Sequence, residues 1–197
     1  GSVALSADGG TLTYLPPRDF QGDDRFVVIV SDGQSGVPST VWLHVRGAND
    51  APVVQDDELS GAEDVPLEIH TAELTANDHD VDLGDSFWVA TVDPGTTAGG
   101  SLVDTRRPDA RQGRLVYTPP ADFHGEDVFG YTLVDASGAP SGRGLVHLRI
   151  ASRNDPPVAV DDELTTEEDT ALVLDAGRRA ALLANDSDPD GEGLAAL

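Results

Sequence analysis

The sequence contains no cysteine, no methionine and no lysine; arginine supplies all 12 of its basic residues. Without cysteine there are no disulfides and no thiolate metal site. Stability must then come from a core of sufficient size or from a bound metal. A chain without methionine reads as a fragment or mature segment of a longer protein, so a missing signal peptide says nothing about location. Long apolar runs are also absent. The longest, "FVVIV" at Phe26–Val30, is far short of the roughly 20 residues of a membrane-spanning helix, so membrane insertion of this segment is not expected. Positive charge is scarce: 12 basic residues face 36 acidic ones, for a net charge of −24. A polyanion needs a basic surface, so nucleic acid is excluded as a partner. The same imbalance favours cations as ligands, or serves as a solubilising surface. A hydrophobic content of 39% still suffices for a packed core, and 197 residues accommodate one or two domains.

The chain repeats itself. "NDAPVVQDDELSGAEDVPLEI" at Asn49–Ile69 returns as "NDPPVAVDDELTTEEDTALVL" at Asn154–Leu174, and "LTYLPPRDFQGDDRFVVIVSD" at Leu12–Asp32 returns as "LVYTPPADFHGEDVFGYTLVD" at Leu115–Asp135. Two unrelated stretches share a period of about 105 residues, the mark of a tandem repeat. This frame reads residues 1–48 as the back of one repeat, 49–153 as a complete repeat and 154–197 as the front of a third.

Apolar residues alternate with period two, between punctuation by Gly, Pro, Asp and Asn. Within the complete repeat this predicts seven strands: Pro52–Asp56, Pro66–His70, Ser86–Val92, Ser101–Asp104, Arg114–Thr118, Asp127–Asp135 and Gly144–Ile150. Phe129, Tyr131 and Leu133 are expected to point inward, and Trp88 is expected in the core. One short helical candidate spans Arg178–Asp186. Seven short strands in about 105 residues suit an all-β, immunoglobulin-like sandwich. The partial repeats cannot bury both inner faces alone and are expected to pack poorly.

The acidic residues are not evenly spread. "NDHDVDLGD" at Asn77–Asp85 and "NDSDPDGEG" at Asn185–Gly193 crowd like charges that repel one another. Along a sandwich, the first turn, the loop before the sixth strand and the linker after the last strand share one end. The loop after the second strand of the next repeat faces them. Glu63 and Asp64, then Asp122, Glu126 and Asp127, then Asn154 and Asp155, should therefore meet Asp186, Asp188 and Asp190. The preceding junction repeats the pattern with Asp19, Asp23 and Asp24, with Asn49 and Asp50, and with Asp78, Asp80 and Asp82. Such a group offers the six to eight oxygens that Ca²⁺ takes; Mg²⁺ keeps its waters and fits less well. Zn²⁺ wants His or Cys, and the five His do not cluster. Asp, Asn and Gly are also ordinary turn formers, so either acidic stretch alone reads equally as a turn.

The motifs "NDPPVAVDDELTTEEDTALVLDA…LLANDSDPDG" and "YTPPADFHGEDVFGYTLVDASG" resemble the bacterial cadherin-like tandem repeats of large surface adhesins, akin to the extender domains of calcium-dependent RTX-type adhesins. The resemblance covers essentially the whole chain. It implies tandem cadherin-like sandwiches in a secreted or surface-anchored stalk that supports cell adhesion, with Ca²⁺ at the junctions. It implies contacts with neighbouring repeats, and with a host-cell or biofilm surface through a distant tip. The cadherin ligand roles would fall on Glu63 with Asp64, Glu126 with Asp127, Asn154 with Asp155, and Asp186 with Asp188. The linker "NDPP" is shorter than its eukaryotic counterpart, and no tryptophan lies near a free N-terminus for strand swapping.

A second reading is a glycan- or protein-binding module. Trp42 falls on His147 of the next repeat, and a solvent-facing Trp42 would favour this reading. Catalysis is not expected. His79, His124 and Ser137 lack a nucleophile-elbow motif.

Overall fold

A computed structural model describes residues 1–82, 84–107 and 111–195. Residues 1–48 form β1 (Ser2–Leu5), β2 (Leu12–Leu15), β3 (Gly22–Ser31) and β4 (Gly36–Val45). The middle segment holds β5 (Asp57–Ala62), β6 (Leu67–His70), α1 (Thr71–Leu74), β7 (Phe87–Val92), β8 (Ser101–Asp104), β9 (Arg114–Thr118), β10 (Gly125–Asp135) and β11 (Pro140–Ala151). A second short helix, α2 (Ala176–Leu182), follows in the last segment. Among the described residues no helix is long and apolar enough to cross a membrane.

Two sheets make the sandwich of the middle segment, one in the order β5-β11-β10-β7 and one in the order β6-β9-β8. Period-two alternation sends Phe129, Tyr131 and Leu133 of β10, and Val146, Leu148 and Ile150 of β11, to one face. Ile69, Leu102, Leu115 and Tyr117 meet them from the other sheet, and Leu74 of α1 closes the cluster. Each such side chain contributes roughly 1.5–3 kcal/mol by leaving water. Trp88 is not in this core. The alternation of β7 buries Val89 and turns its neighbour outward, where Arg111 lies 4.1 Å from the indole centroid.

The first strand also differs from expectation. Within Pro52–Asp56 only Val53 is bridged, to His79. The chain then pairs in parallel with β11 through the polar segment Asp57–Ala62. An edge strand tolerates that composition because only one side of it is paired. The helix α2 begins earlier than Arg178 because Asp175 caps it, accepting from the Arg178 N–H at 2.9 Å.

In the flanking segments, β1 pairs with β2 and β3 with β4. None of residues 1–48, and none of the described residues of 154–195, is fully buried. Two two-stranded sheets in residues 1–48, and α2 without a strand beside it among the described residues of the last segment, are too narrow to enclose an inner face.

The Tyr131 hydroxyl ties the upper end of the sandwich together. It lies 2.9 Å from Asp57 Oδ2, 2.9 Å from the Leu74 carbonyl, 3.1 Å from the Gln55 carbonyl and 3.2 Å from Asp78 Oδ2. One proton cannot serve four acceptors. Burial pushes the Asp57 carboxyl up to about 6; the Tyr131 hydroxyl pulls it back, and the Asp78 charge adds to the rise. A folded-state value above the unfolded one favours the neutral carboxyl. Its contribution is therefore complete at pH below about 4 and is lost as pH rises through about 6. Asp57→Asn should remove that slope and stabilise the domain at pH 7 by about 1 kcal/mol, a figure reduced for solvent screening. Urea unfolding at pH 4 to 7 in EDTA would show a flatter profile for the variant.

Candidate metal centre

Two turns at the lower end of the sandwich place carboxylates in unusual backbone positions. Asp64 after β5 has φ 60° and Asp122 before β10 has φ 57°. Their repeat partners Asp169 and Asp19 have φ 59° and 57°. Aspartate tolerates this left-handed region better than most non-glycine residues. The Asp122 N–H donates to Asp64 Oδ1 at 3.3 Å, joining the two turns. Beside them Glu63 is 1% exposed. Its N–H donates to the Ala151 carbonyl at 3.0 Å, its Oε1 accepts from the Arg153 N–H, and its Oε2 lies 3.4 Å from His124 Nδ1.

The linker arrives next. The Asn154 side chain donates to the Asp155 carbonyl at 2.9 Å, and the Asp155 N–H donates to Asp190 Oδ2 at 2.6 Å. The D-x-D-x-D spacing gives its three carboxylates separate tasks. Asp186 accepts from the Val160 N–H at 2.8 Å, Asp188 accepts from the Asp190 N–H at 2.9 Å, and Asp190 receives the linker.

Two overlapping groups result: Glu63, Asp155 and Asp190, and Asp64, Asp122 and Asp155. Within each, one carboxylate oxygen per residue lies within 4.8 Å of the others. Asp155 belongs to both, and its Oδ2 is buried without a hydrogen-bond partner. Burial pushes the Asp155 carboxyl up, and the charges of Asp64, Asp122, Asp190 and Glu63 add to the push. An orphaned carboxylate oxygen facing four further acids is the arrangement a cation would relieve.

The preceding junction repeats the hydrogen-bond scheme. The Asn49 side chain donates to the Asp50 carbonyl at 3.1 Å, the Asp50 N–H to Asp82 Oδ2 at 2.7 Å, the Asp82 N–H to Asp80 Oδ1 at 2.8 Å, and the Gln55 N–H to Asp78 Oδ1 at 2.7 Å. Asp19, Asp50 and Asp82 line one cavity of about 260 Å³. A third acidic group, Asp80, Asp85 and Asp135, lies on the upper side, and Asp80 Oδ2 is again buried and unpartnered. Neither Asp85 nor Asp135 is among the ligands expected from the sequence. Asn49 also donates to Asp135 at 2.7 Å; with the Ala139 N–H it holds that carboxyl below the usual range.

Several expected ligands lie elsewhere. Asp127 is buried inside the sandwich, where its carboxylate accepts from the Thr96 and Thr97 hydroxyls, the Tyr117 hydroxyl at 2.8 Å and the Ala98 N–H at 2.7 Å. Asp24 repeats this bond with Tyr14 at 2.6 Å. Glu126 and Asp23 point outward on their strands, opposite Arg149 and His44 respectively. Asp23 meets His44 Nδ1 at 2.7 Å. Asp78 and Asp186 hold their loops to the entering strand segment rather than joining an acidic group.

The donor set of these groups is carboxylate oxygen alone, which suits a hard cation. The family model described as bacterial cadherin-like domain matches residues 49–152, and the bacterial Ig domain model matches 1–44 and 154–197. No curated protein matches the chain. Among solved structures, human protocadherin-24 EC1-2 is similar at 16% identity and TM-score 0.43, over 78% of this chain and 77% of that one. An endo-fucoidan hydrolase of glycoside hydrolase family 107 is similar at 16% identity and TM-score 0.32, over 77% of this chain; the chain spans 22% of that enzyme's length.

Proposed function

Since the chain belongs to the bacterial cadherin-like domain family, we propose that it is a structural repeat segment of an extracellular bacterial adhesin whose junction acids hold Ca²⁺. The observation that carries this reading is the buried, unpartnered Asp155 Oδ2 amid Glu63, Asp64, Asp122 and Asp190. These five residues come from two turns of one repeat, the linker and the next repeat. A bound Ca²⁺ would supply positive charge against their mutual repulsion. Asp155 and Asp190 are already joined through the linker N–H, so neutralising them holds the linker against the next repeat. Without neutralisation, like charges on both sides of a short linker favour a bent, flexible junction. At the preceding junction Asp19, Asp50, Asp80, Asp82, Asp85 and Asp135 would take the corresponding parts. Weak sites, with Kd on the order of 10⁻⁴–10⁻³ M, serve extracellular modules.

The test is small-angle scattering of the chain in EDTA, in millimolar CaCl₂ and in millimolar MgCl₂, with calorimetric titration of both metals. Ca²⁺ alone should lengthen the particle and release heat on binding. Coincident scattering profiles together with no heat would leave the acids as solvated turns.

A further inference from the structure

The outer face of the β3–β4 hairpin carries a patch that the repeat pattern does not require. Register pairs Asp23 with His44, Arg25 with Trp42, Val27 with Thr40 and Ile29 with Pro38. These side chains share the face opposite Phe26, Val28, Val41 and Leu43. The matching face of the complete repeat is mostly polar. There Glu126 faces Arg149, Val128 faces His147, and Thr132 faces Arg143. Arg143 pairs with Asp93, Arg149 lies 3.8 Å from Glu58, and the Thr91 and Thr132 hydroxyls meet at 2.6 Å. The second sheet of a sandwich covers the inner face only. Strand phase therefore turns Trp42 outward independently of the incomplete inner core of residues 1–48. Trp42 is 69% exposed, with Val27 at 59% and Ile29 at 65% beside it.

We infer that this face binds an acidic polysaccharide built of uronate sugars, with Trp42 as the platform for a pyranose ring and Arg25 as the partner of its carboxylate. An exposed apolar patch on a sheet face marks a binding surface. The flat indole offers apolar area to the C–H face of a sugar ring at little entropic cost. The Arg25 guanidinium sits 5.3 Å from the indole centroid, so a cation with carboxylate-matching geometry stands beside the platform. The Asp23–His44 rung completes the set with groups that hydrogen-bond hydroxyls. A purely apolar protein partner would have to desolvate these charged rungs without compensation. Residues 1–48 carry five aspartates and three arginines, far less negative charge than the rest of the chain, so an anionic ligand meets least repulsion here.

The site shares no residue with the acidic groups of the junctions, so it is tested without metal. A soluble tetra-uronate and a neutral tetra-glucan are titrated into the whole chain in EDTA, with calorimetry and tryptophan fluorescence as readouts. The tetra-uronate should bind with Kd on the order of 1 mM, and the glucan more weakly. Trp42→Ala and Arg25→Gln should each weaken uronate binding about tenfold or more, with unchanged thermal unfolding because both side chains are exposed. Unchanged uronate affinity in Trp42→Ala, or equal affinity for the neutral glucan, overturns the inference. Sedimentation showing that the wild type dimerises and Trp42→Ala does not would also overturn it, by assigning the face to a second copy of the chain.

Discussion

Glu63→Gln should move the stability of the complete repeat in opposite directions with and without calcium. Glu63 is nearly inaccessible to solvent, and one of its oxygens lies within 4.8 Å of carboxylate oxygens of Asp155 and Asp190. In EDTA these charges repel in a poorly solvated place, so removing one should stabilise the fold by about 1–2 kcal/mol. Glutamine keeps a carbonyl oxygen for the Arg153 N–H, so the hydrogen bond to the linker survives. With Ca²⁺ at a hundred times Kd, the wild type gains about 2.7 kcal/mol by linkage. A hundredfold loss of affinity in the variant removes about 2.3 kcal/mol of that gain, more than the variant gains in EDTA. Melting temperatures in EDTA and in CaCl₂ should therefore cross, with MgCl₂ leaving the EDTA order unchanged. A variant less stable than wild type in both media would mean that the carboxylate serves hydrogen bonding alone.

Much of this arrangement is legible in the sequence, and the exceptions have physical causes. The strands Ser101–Asp104 and Arg114–Thr118 follow from short runs of strand-forming residues bounded by Gly100, Gly113 and Pro119. The strand Asp57–Ala62 does not, because a polar edge strand pairing in parallel with a distant partner leaves no local pattern. The one-turn helix Thr71–Leu74 owes its existence to Leu74 in the core, a tertiary cause invisible to a propensity argument. For the acids, the linker and loop motifs point to Asp155 and Asp190 because those motifs are local. Asp85 and Asp135 join Asp80 only once the sixth strand has crossed the sandwich. The burial of Asp127 was available from parity alone. It shares its strand phase with Phe129, Tyr131 and Leu133, whereas Glu126 has the opposite phase and lies outside. Charge density alone marks both residues as ligands, and strand phase separates them from the junction.

Asp127→Asn should be the most damaging single change to an acidic residue of the sandwich, and it should leave calcium affinity alone. The carboxylate takes donors from Thr96, Thr97, Ala98, Tyr117 and the Val128 N–H, all from within the domain. An amide replaces one acceptor oxygen with a second donor group and turns it toward neighbours that also donate. Breaking a buried charge-assisted network of this kind costs about 3–5 kcal/mol, out of a total stability of about 5–15 kcal/mol. The melting temperature should fall by more than about 10 °C. The pH profile gives an independent signature. Burial alone would raise the Asp127 carboxyl, but the donors from Thr96, Ala98, Tyr117 and Val128 together outweigh it and hold it below its ordinary value. A depressed folded-state value contributes stability above the unfolded value of about 3.9, and that stability is lost as pH falls through the folded value. The wild type should therefore lose stability on acidification below about pH 4, and the variant should lack that component. Calorimetry of Ca²⁺ binding, at a temperature where the variant is folded, should return the wild-type affinity. A variant that melts normally but loses Ca²⁺ would return Asp127 to the ligand set. A variant that melts early and keeps Ca²⁺ would show that the acids of this chain divide by strand phase into those that hold the sandwich and those that face its neighbour.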